Sequence, residues 1–182
     1  MLDIVSELAK GTHLPVPLDE IGLPSRGAVN LDGFVNYTIA APGTRLAYAQ
    51  FFRNGAIEGV GELRSDDGVT SRFISRDLTN VVVSTVRQHL QVLKSFEMGL
   101  PVYIYLSLCN GNNVVYRHAP EGFGWVDTQP LRREIAAFPE ISVDNFDVDV
   151  PTVMRPVFNM LWNAFGLAQC DMYDGQGRWR GL

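Results

Sequence analysis

The chain has 182 residues, 46% of them hydrophobic and 19% charged, with a formal net charge of −5. That length suffices to bury one sizeable core, and the acidic balance supplies no general electrostatic pull toward nucleic acid or an anionic membrane. Cys109 and Cys170 make neither a disulfide framework nor a zinc site, and no signal peptide or apolar span is legible, so a reducing cytoplasm is the default compartment.

Leu2, Val5, Leu8 and Ala9 fall on one stripe, which predicts a short amphipathic helix ended by Gly11. From Gly11 to Gly27 the chain carries Pro15, Pro17 and Pro24, the composition of an irregular arm laid over a surface. Residues 1–27 are therefore read as helix and arm, and residues 28–182 as a single domain. Leu31, Val35, Tyr37 and Ile39 alternate with Asp32, Asn36 and Thr38, the period of a half-buried strand. Ala41-Pro42-Gly43-Thr44 turns the chain, and Leu46 to Phe52 returns it. Asn54-Gly55 between apolar runs predicts a type I′ hairpin loop, because both central residues of that turn need φ > 0. Such a loop sets Phe52 opposite Ile57, Phe51 opposite Glu58 and Ala49 opposite Val60. It also makes Arg53 and Glu58 diagonal neighbours within ion-pair reach. Ser65 to Gly68 reads as a loop tip and Val69 to Ile74 as a short strand.

From Arg76 to Met98, the residues Leu78, Val82, Val86, Leu90 or His89, Leu93 and Phe96 step by three or four, as in an amphipathic helix. Ser75 or Asp77 is placed to cap its start, and Gly99-Leu100-Pro101 to stop it as a Schellman motif with Gly99 at C′. Val102 to Cys109 is a nearly unbroken apolar run, hence a strand covered on both faces. Asn110-Gly111-Asn112-Asn113 is expected to turn it into a second hairpin with Val114 to His118. Ala119 to Pro130 reads as a loop carrying Trp125, and Ile135 to Val150 as extended with a break at Phe138-Pro139. Val153, Val157, Met160, Leu161, Ala164 and Phe165 build a final amphipathic helix, with Phe158 and Trp162 on a second apolar flank. Pro151 suits its first turn, Pro156 predicts a kink and Gly166 lies beyond its end. Gln169 to Leu182 is a polar tail, in which Arg178 and Arg180 around Trp179 form a small basic cluster. The predicted class is α+β. Its core is a mainly antiparallel sheet of about five strands in the order β-β-β-α-β-β, with the long helix on one face and a C-terminal helix.

Few constellations carry chemistry. In the expected second hairpin His118 lies opposite Tyr103 or Tyr105, several rungs from Cys109 and beyond hydrogen-bond reach, which argues against a thiol enzyme. Asp144, Asp147 and Asp149 form the densest acidic group, with Asp147 and Asp149 projecting from one side of an extended segment; a solvated strand face accounts for them more simply than a cation site. No phosphate-binding loop, dinucleotide fingerprint, nucleophile elbow or zinc-protease helix occurs, and no metal or cofactor is expected. Tyr103, Tyr105, Tyr116 and Trp125 offer ring faces to bases, but at strand spacing they read as core or half-core.

Several segments resemble one family. They are Asn30-Leu31-Asp32-Gly33-Phe34, Phe51 to Glu58, Pro101 to Leu108, Gly124-Trp125 and Arg155 to Gly166. Together they resemble the C-terminal region of bacterial ATP-binding or helix-turn-helix proteins that carry a Schlafen/AlbA-type domain at the N-terminus. The resemblance covers most of residues 26–166 and omits that domain, to which the family's nucleotide or nucleic-acid activity is attributed. It implies a non-catalytic accessory or interaction module that acts beside an effector domain. The alternative is a small-ligand-binding or hydrolytic domain using Arg53, Glu58 and the acidic strand Asp144 to Asp149. The candidate binding residues are Arg53, Glu58, Asp32, Phe158 and Trp162. The expected partners are a second copy, docked through the Phe158 and Trp162 flank, or an upstream AlbA-type domain. Neither membrane nor nucleic acid is an expected partner of this chain alone.

Overall fold

A computed structural model describes residues 4–11, 13–19, 24–39, 47–65, 72–118 and 126–181. The fold is α+β, with a long helix, a C-terminal helix and strands that pair antiparallel in all but one case. It forms two compact units, residues 1–62 with 81–99 and residues 63–80 with 100–182. The division does not fall at residue 28, since the N-terminal helix and arm belong to the first unit. Among the described residues, no helix is long and apolar enough to cross a membrane.

In the first unit, β1 (Ser25–Val29), β2 (Gly33–Thr38), β3 (Tyr48–Phe52) and β4 (Ile57–Val60) form a four-stranded meander in sequential order. Alternation sorts its side chains. The pairs Phe34↔Phe51 and Asn36↔Ala49 share one face, and all four residues are buried. Asn36 Nδ2 donates to the Pro15 carbonyl at 2.9 Å, which ties the proline-rich arm to that face. Helix α1 (Ile4–Ala9) packs against β1 and β2 and buries Val5 and Leu8. Helix and arm are therefore parts of this unit rather than appendages.

Helix α2 (Arg76–Ser95) starts as expected at Ser75, whose Oγ accepts from the Asp77 N–H at 3.2 Å. It ends earlier than expected. Glu97 takes φ +54° and donates to Lys94 O, while Met98 N–H reaches Leu93 O, both at 3.0 Å. That is a Schellman motif with Glu97 at C′, not Gly99. A left-handed residue other than glycine costs about 1–2 kcal/mol. Partial burial offsets it: Phe96 stands edge-on to Phe51 with ring centroids 5.9 Å apart, and Met98 lies over Gly55.

The β3–β4 hairpin also departs from the expected register by one residue. Phe52 N–H donates to Ala56 O at 2.8 Å and Gly55, at φ +90°, donates to Phe52 O at 2.9 Å, so the loop is Arg53-Asn54-Gly55. Phe51 then faces Ile57, Gln50 faces Glu58 and Ala49 faces Gly59. This register sets Gly59, rather than Val60, opposite Ala49 and under α2, where a Cβ at position 59 would lie 3.2 Å from His89 Cε1, a tight fit that favours glycine.

The second unit holds β5 (Arg64–Ser65), β6 (Arg72–Ile74), β7 (Val102–Ile104), β8 (Ser107–Cys109), β9 (Val115–His118), β10 (Val126–Asp127), β11 (Ile135–Ala137), β12 (Ile141–Val143) and α3 (Val150–Asn163). One sheet runs β10-β9-β6-β5, with β6 and β9 parallel through Phe73↔Val115 and Ile74↔Tyr116. The expected second hairpin does not form, because β9 pairs with β6 and β10. The run Val102 to Cys109 breaks at Tyr105-Leu106 into β7 and β8, which pair with β12 and β11. It is not covered on both faces: Tyr103 and Tyr105 are 52% and 69% exposed. Residues 138–140 stand opposite 105–106, so the break at Phe138-Pro139 is a one-residue bulge in a two-stranded ribbon.

Residues 144–149 form a turn into α3 rather than an acidic strand. Asp147 N–H donates to Asn145 Oδ1 at 3.0 Å, and Asp149 precedes the helix and accepts from Thr152 Oγ1. The tail closes on itself through a Tyr173↔Trp179 bridge and is held to α3 by Cys170 N–H on Asn159 Oδ1 at 2.9 Å and Tyr173 Oη on the Pro151 carbonyl, with Cys170, Met172 and Tyr173 buried. The expected turn at Ala41 to Thr44, the loop tip at Asp66 to Gly68, and Trp125 lie outside the described residues.

His89 yields a pH prediction for the first unit. Its Nε2 donates to the Val16 carbonyl at 2.9 Å, and burial lowers its pKa below the ordinary 6.5. The unfolded chain then takes up a proton near pH 6.5 that the folded chain resists, so stability is full above that pH and falls as pH drops below it. Chemical denaturation between pH 7.5 and about 5 is expected to show this decline. The His89→Gln variant is expected to flatten it, and an NMR titration placing His89 at or above 6.5 would refute the account.

Candidate docking groove

The structure does not bring the five sequence-derived candidates into one site. Asp32 and Arg53 do meet, at neighbouring hairpin tips of the first unit. They meet through the backbone: Arg53 N–H donates to Asp32 O at 2.9 Å, and Arg53 Nε donates to Leu31 O at 3.0 Å. Glu58 stands opposite Gln50 and accepts from Tyr48 Oη at 2.8 Å, an interaction that raises the Tyr48 pKa. The expected Arg53–Glu58 ion pair is absent because the hairpin slipped by one residue and a one-residue slip changes every cross-strand neighbour.

Phe158 and Trp162 are in the second unit and fully buried, so the surface flank expected for self-association is core. Trp162 packs on Tyr116 with ring centroids 4.8 Å apart, and Phe158 stacks on Trp179 of the tail at 6.0 Å. Tyr116 and the tail, which reads as polar, thus cover this flank. Of the tail's two basic residues, Arg178 pairs through Nε with Asp174 Oδ2 at 2.8 Å.

One charged cluster borders this core. Asp171 Oδ2 accepts from Arg76 Nε at 2.9 Å and from Tyr116 Oη at 3.0 Å. Burial and the neighbouring carboxylate push the Tyr116 hydroxyl well above its ordinary range, and burial pushes the Cys170 thiol up to about 12. Both groups stay protonated at neutral pH and neither serves as a base or nucleophile there. Cys109 and His118 belong to different sheets, opposite Ile135 and Val126, so the hairpin argument that separated them is replaced by a topological one. Among the described residues no group of three or more His, Cys, Asp or Glu side chains converges on a possible metal position.

A feature with room for a ligand lies elsewhere, between β11 and the end of α3. An open groove of about 600 Å³ is walled by Leu131, Ala136, Phe138, Met160, Ala164 and Phe165, within the usual span of roughly 300–1,000 Å³ for binding pockets. Its polar lining is Gln129, Arg132, Arg133 and Asn163, with no carboxylate. Neither guanidinium has an ion-pair or hydrogen-bond partner among the described residues.

Four anchors build this wall. Leu131 N–H donates to Val114 O at 2.7 Å and Leu131 O accepts from Asn113 at 3.1 Å. Glu134 O accepts from Gly111 N–H at 2.8 Å. The pair Arg132-Arg133 is held between these anchored residues, with both side chains exposed. The fourth anchor is a close approach: a Cβ on Gly111 would come within 2.7 Å of Arg133 O and of Leu131 Cδ2. On the facing side α3 closes as a second Schellman motif, with Gly166 at φ +81°, Gly166 N–H on Asn163 O at 3.0 Å and Leu167 N–H on Trp162 O at 3.1 Å. Its last carbonyls are thus largely satisfied, which leaves the arginines to set the charge of the groove.

Comparison of the chain with protein-family models, curated proteins and solved structures finds no match in any of them. The groove rests on its own geometry. Sequence reasoning passes over Arg132-Arg133 in favour of the tail, although two adjacent arginines beside an apolar run are a legible signal.

Two substitutions test this assignment of core and groove. Trp162→Ala is expected to destabilise by about 3–5 kcal/mol by urea titration, as deletion of a buried tryptophan does, with no change of mass in sedimentation. A changed mass with unchanged stability would return Trp162 to a surface role. Gly111→Val is expected to destabilise by about 1–3 kcal/mol and to shift the amide resonances of residues 131–134; unchanged resonances there would refute the anchoring.

Proposed function

We propose that the chain is a non-catalytic interaction module whose protein partner docks in the groove between β11 and α3. One observation carries the reading: a strand edge with unused backbone groups, an apolar wall and two unpaired guanidinium groups occur together. The lining argues for binding over turnover, because arginine, asparagine and glutamine neither give nor take a proton near neutral pH. The hydrolytic alternative loses its support, since Arg53 and Glu58 are each engaged elsewhere and the acidic segment is a turn. The resemblance to Schlafen/AlbA-type proteins suggests an effector domain of the same protein or complex as the beneficiary of such docking. Self-association through Phe158 and Trp162 is not part of this reading.

Selection of displayed random peptides on the full chain tests it. Enriched peptides are expected to lose binding to the Met160→Glu variant, which sets a carboxylate in the apolar wall at a position already 44% exposed. Absence of enrichment, or enrichment indifferent to Met160→Glu, would overturn docking in this groove.

A further inference from the structure

Strand β11 has one partner. Phe138 N–H donates to Leu106 O at 3.1 Å, and ladder alternation then turns the N–H and C=O of Ala136 toward Leu108 of β8. Those of Ile135 and Ala137 point to the opposite edge, where they meet no partner among the described residues. The groove runs along that edge. Ala136 and Ala137 project from opposite faces of the strand, yet both line it, and no residue of β8 does.

We infer that the groove receives an extended peptide segment with acidic side chains, which adds to β11 as a further strand. This rests on the docking reading and names the occupant. Three features select it. Ile135 and Ala137 offer donors and acceptors in the plane of the ribbon, which an extended backbone satisfies and a helix, with its own groups paired, does not. Alternate side chains of an added strand project to opposite faces, so apolar residues reach the wall made by Leu131, Met160 and Phe165 while the others face the rim. Charge decides the rest: in a chain of net −5, the groove is lined by Arg132 and Arg133 and by no acidic residue. Guanidinium groups pair with carboxylates in a fork geometry, which favours aspartate and glutamate at the rim positions.

The probe is an acetylated, amidated octapeptide of alternating valine and glutamate, titrated into the full chain by calorimetry. Saturable binding is expected, with hydrogen-exchange protection appearing at the Ile135 and Ala137 amides. Arg132→Glu and Arg133→Glu are each expected to weaken it about three- to tenfold, less at high salt. A probe N-methylated at alternate residues, which removes strand donors without touching the protein, is expected to lose binding. Undiminished binding of that probe, or equal binding of a valine–lysine octapeptide, overturns the proposal. So does a thymidine oligonucleotide that competes for the same arginines and leaves the Ile135 and Ala137 amides unprotected. The two readings fail separately. Displayed peptides that bind the groove without acidic residues overturn the acidic strand and leave the docking reading standing, whereas no groove binder at all removes both.

Discussion

The second unit depends on a backbone approach that only glycine permits. At Gly111 the turn after β8 comes so close to Leu131 and Arg133 that a methyl group has no place. Hydrogen bonds from Gly111 and Asn113 and to Val114 O then hold residues 131–134 against the turn. With those groups committed, β8 cannot fold back on β9 as a hairpin; it pairs with β11, and β9 is released to lie parallel to β6. Left-handed Asn110 and Asn113, at φ 53° and 65°, make the required path. The same approach holds the two arginines at the rim and sets β11 with one edge open. Topology and groove therefore share one cause.

Much of the fold was legible where a single local signal decided the outcome. The three strands of the meander β2–β4, the start of α2 at Ser75, the body of α3 and its stop at Gly166 each follow from periodicity or capping chemistry, whereas β1 lies in a stretch that reads as irregular arm. The failures share a physical reason: a tertiary contact overrode a local preference. The tight fit under His89 favours glycine in the β3–β4 register that forms, burial of Phe96 and Met98 moved the end of α2, and the Gly111 approach cancelled the second hairpin. None of these distances is written in a window of neighbouring residues. The candidate site fared worse for the same reason. Phe158 and Trp162 read as a surplus apolar flank because the tail reads as polar, while Cys170, Met172, Tyr173 and Trp179 supply the cover.

An unpaired strand edge invites unwanted pairing, and proteins that keep one limit it. Here β11 is three residues long, Pro139 and the bulge end the ladder two residues later, and charged side chains flank it at Arg133 and Glu134. Such an edge is short enough to resist open-ended sheet growth and long enough to seat one short segment. Specificity then falls to the groove wall and its charge rather than to the ladder alone.

The parallel pairing of β6 with β9 has a consequence for the order in which the molecule is completed on the ribosome. All the residues of the first unit have been made by residue 99, and its meander pairs neighbours in sequence. One edge of strand β6, finished at Ile74, waits for Val115 and Tyr116, beyond α2, β7 and β8, and the Phe158 face waits for Trp179. Vectorial synthesis thus completes the first unit while the second is an exposed strand and half a core. In a nascent chain stalled between residues 100 and 115, β6 has only the two-residue β5 as a partner and its other edge is open, the stage at which a ribosome-bound chaperone has something to cover.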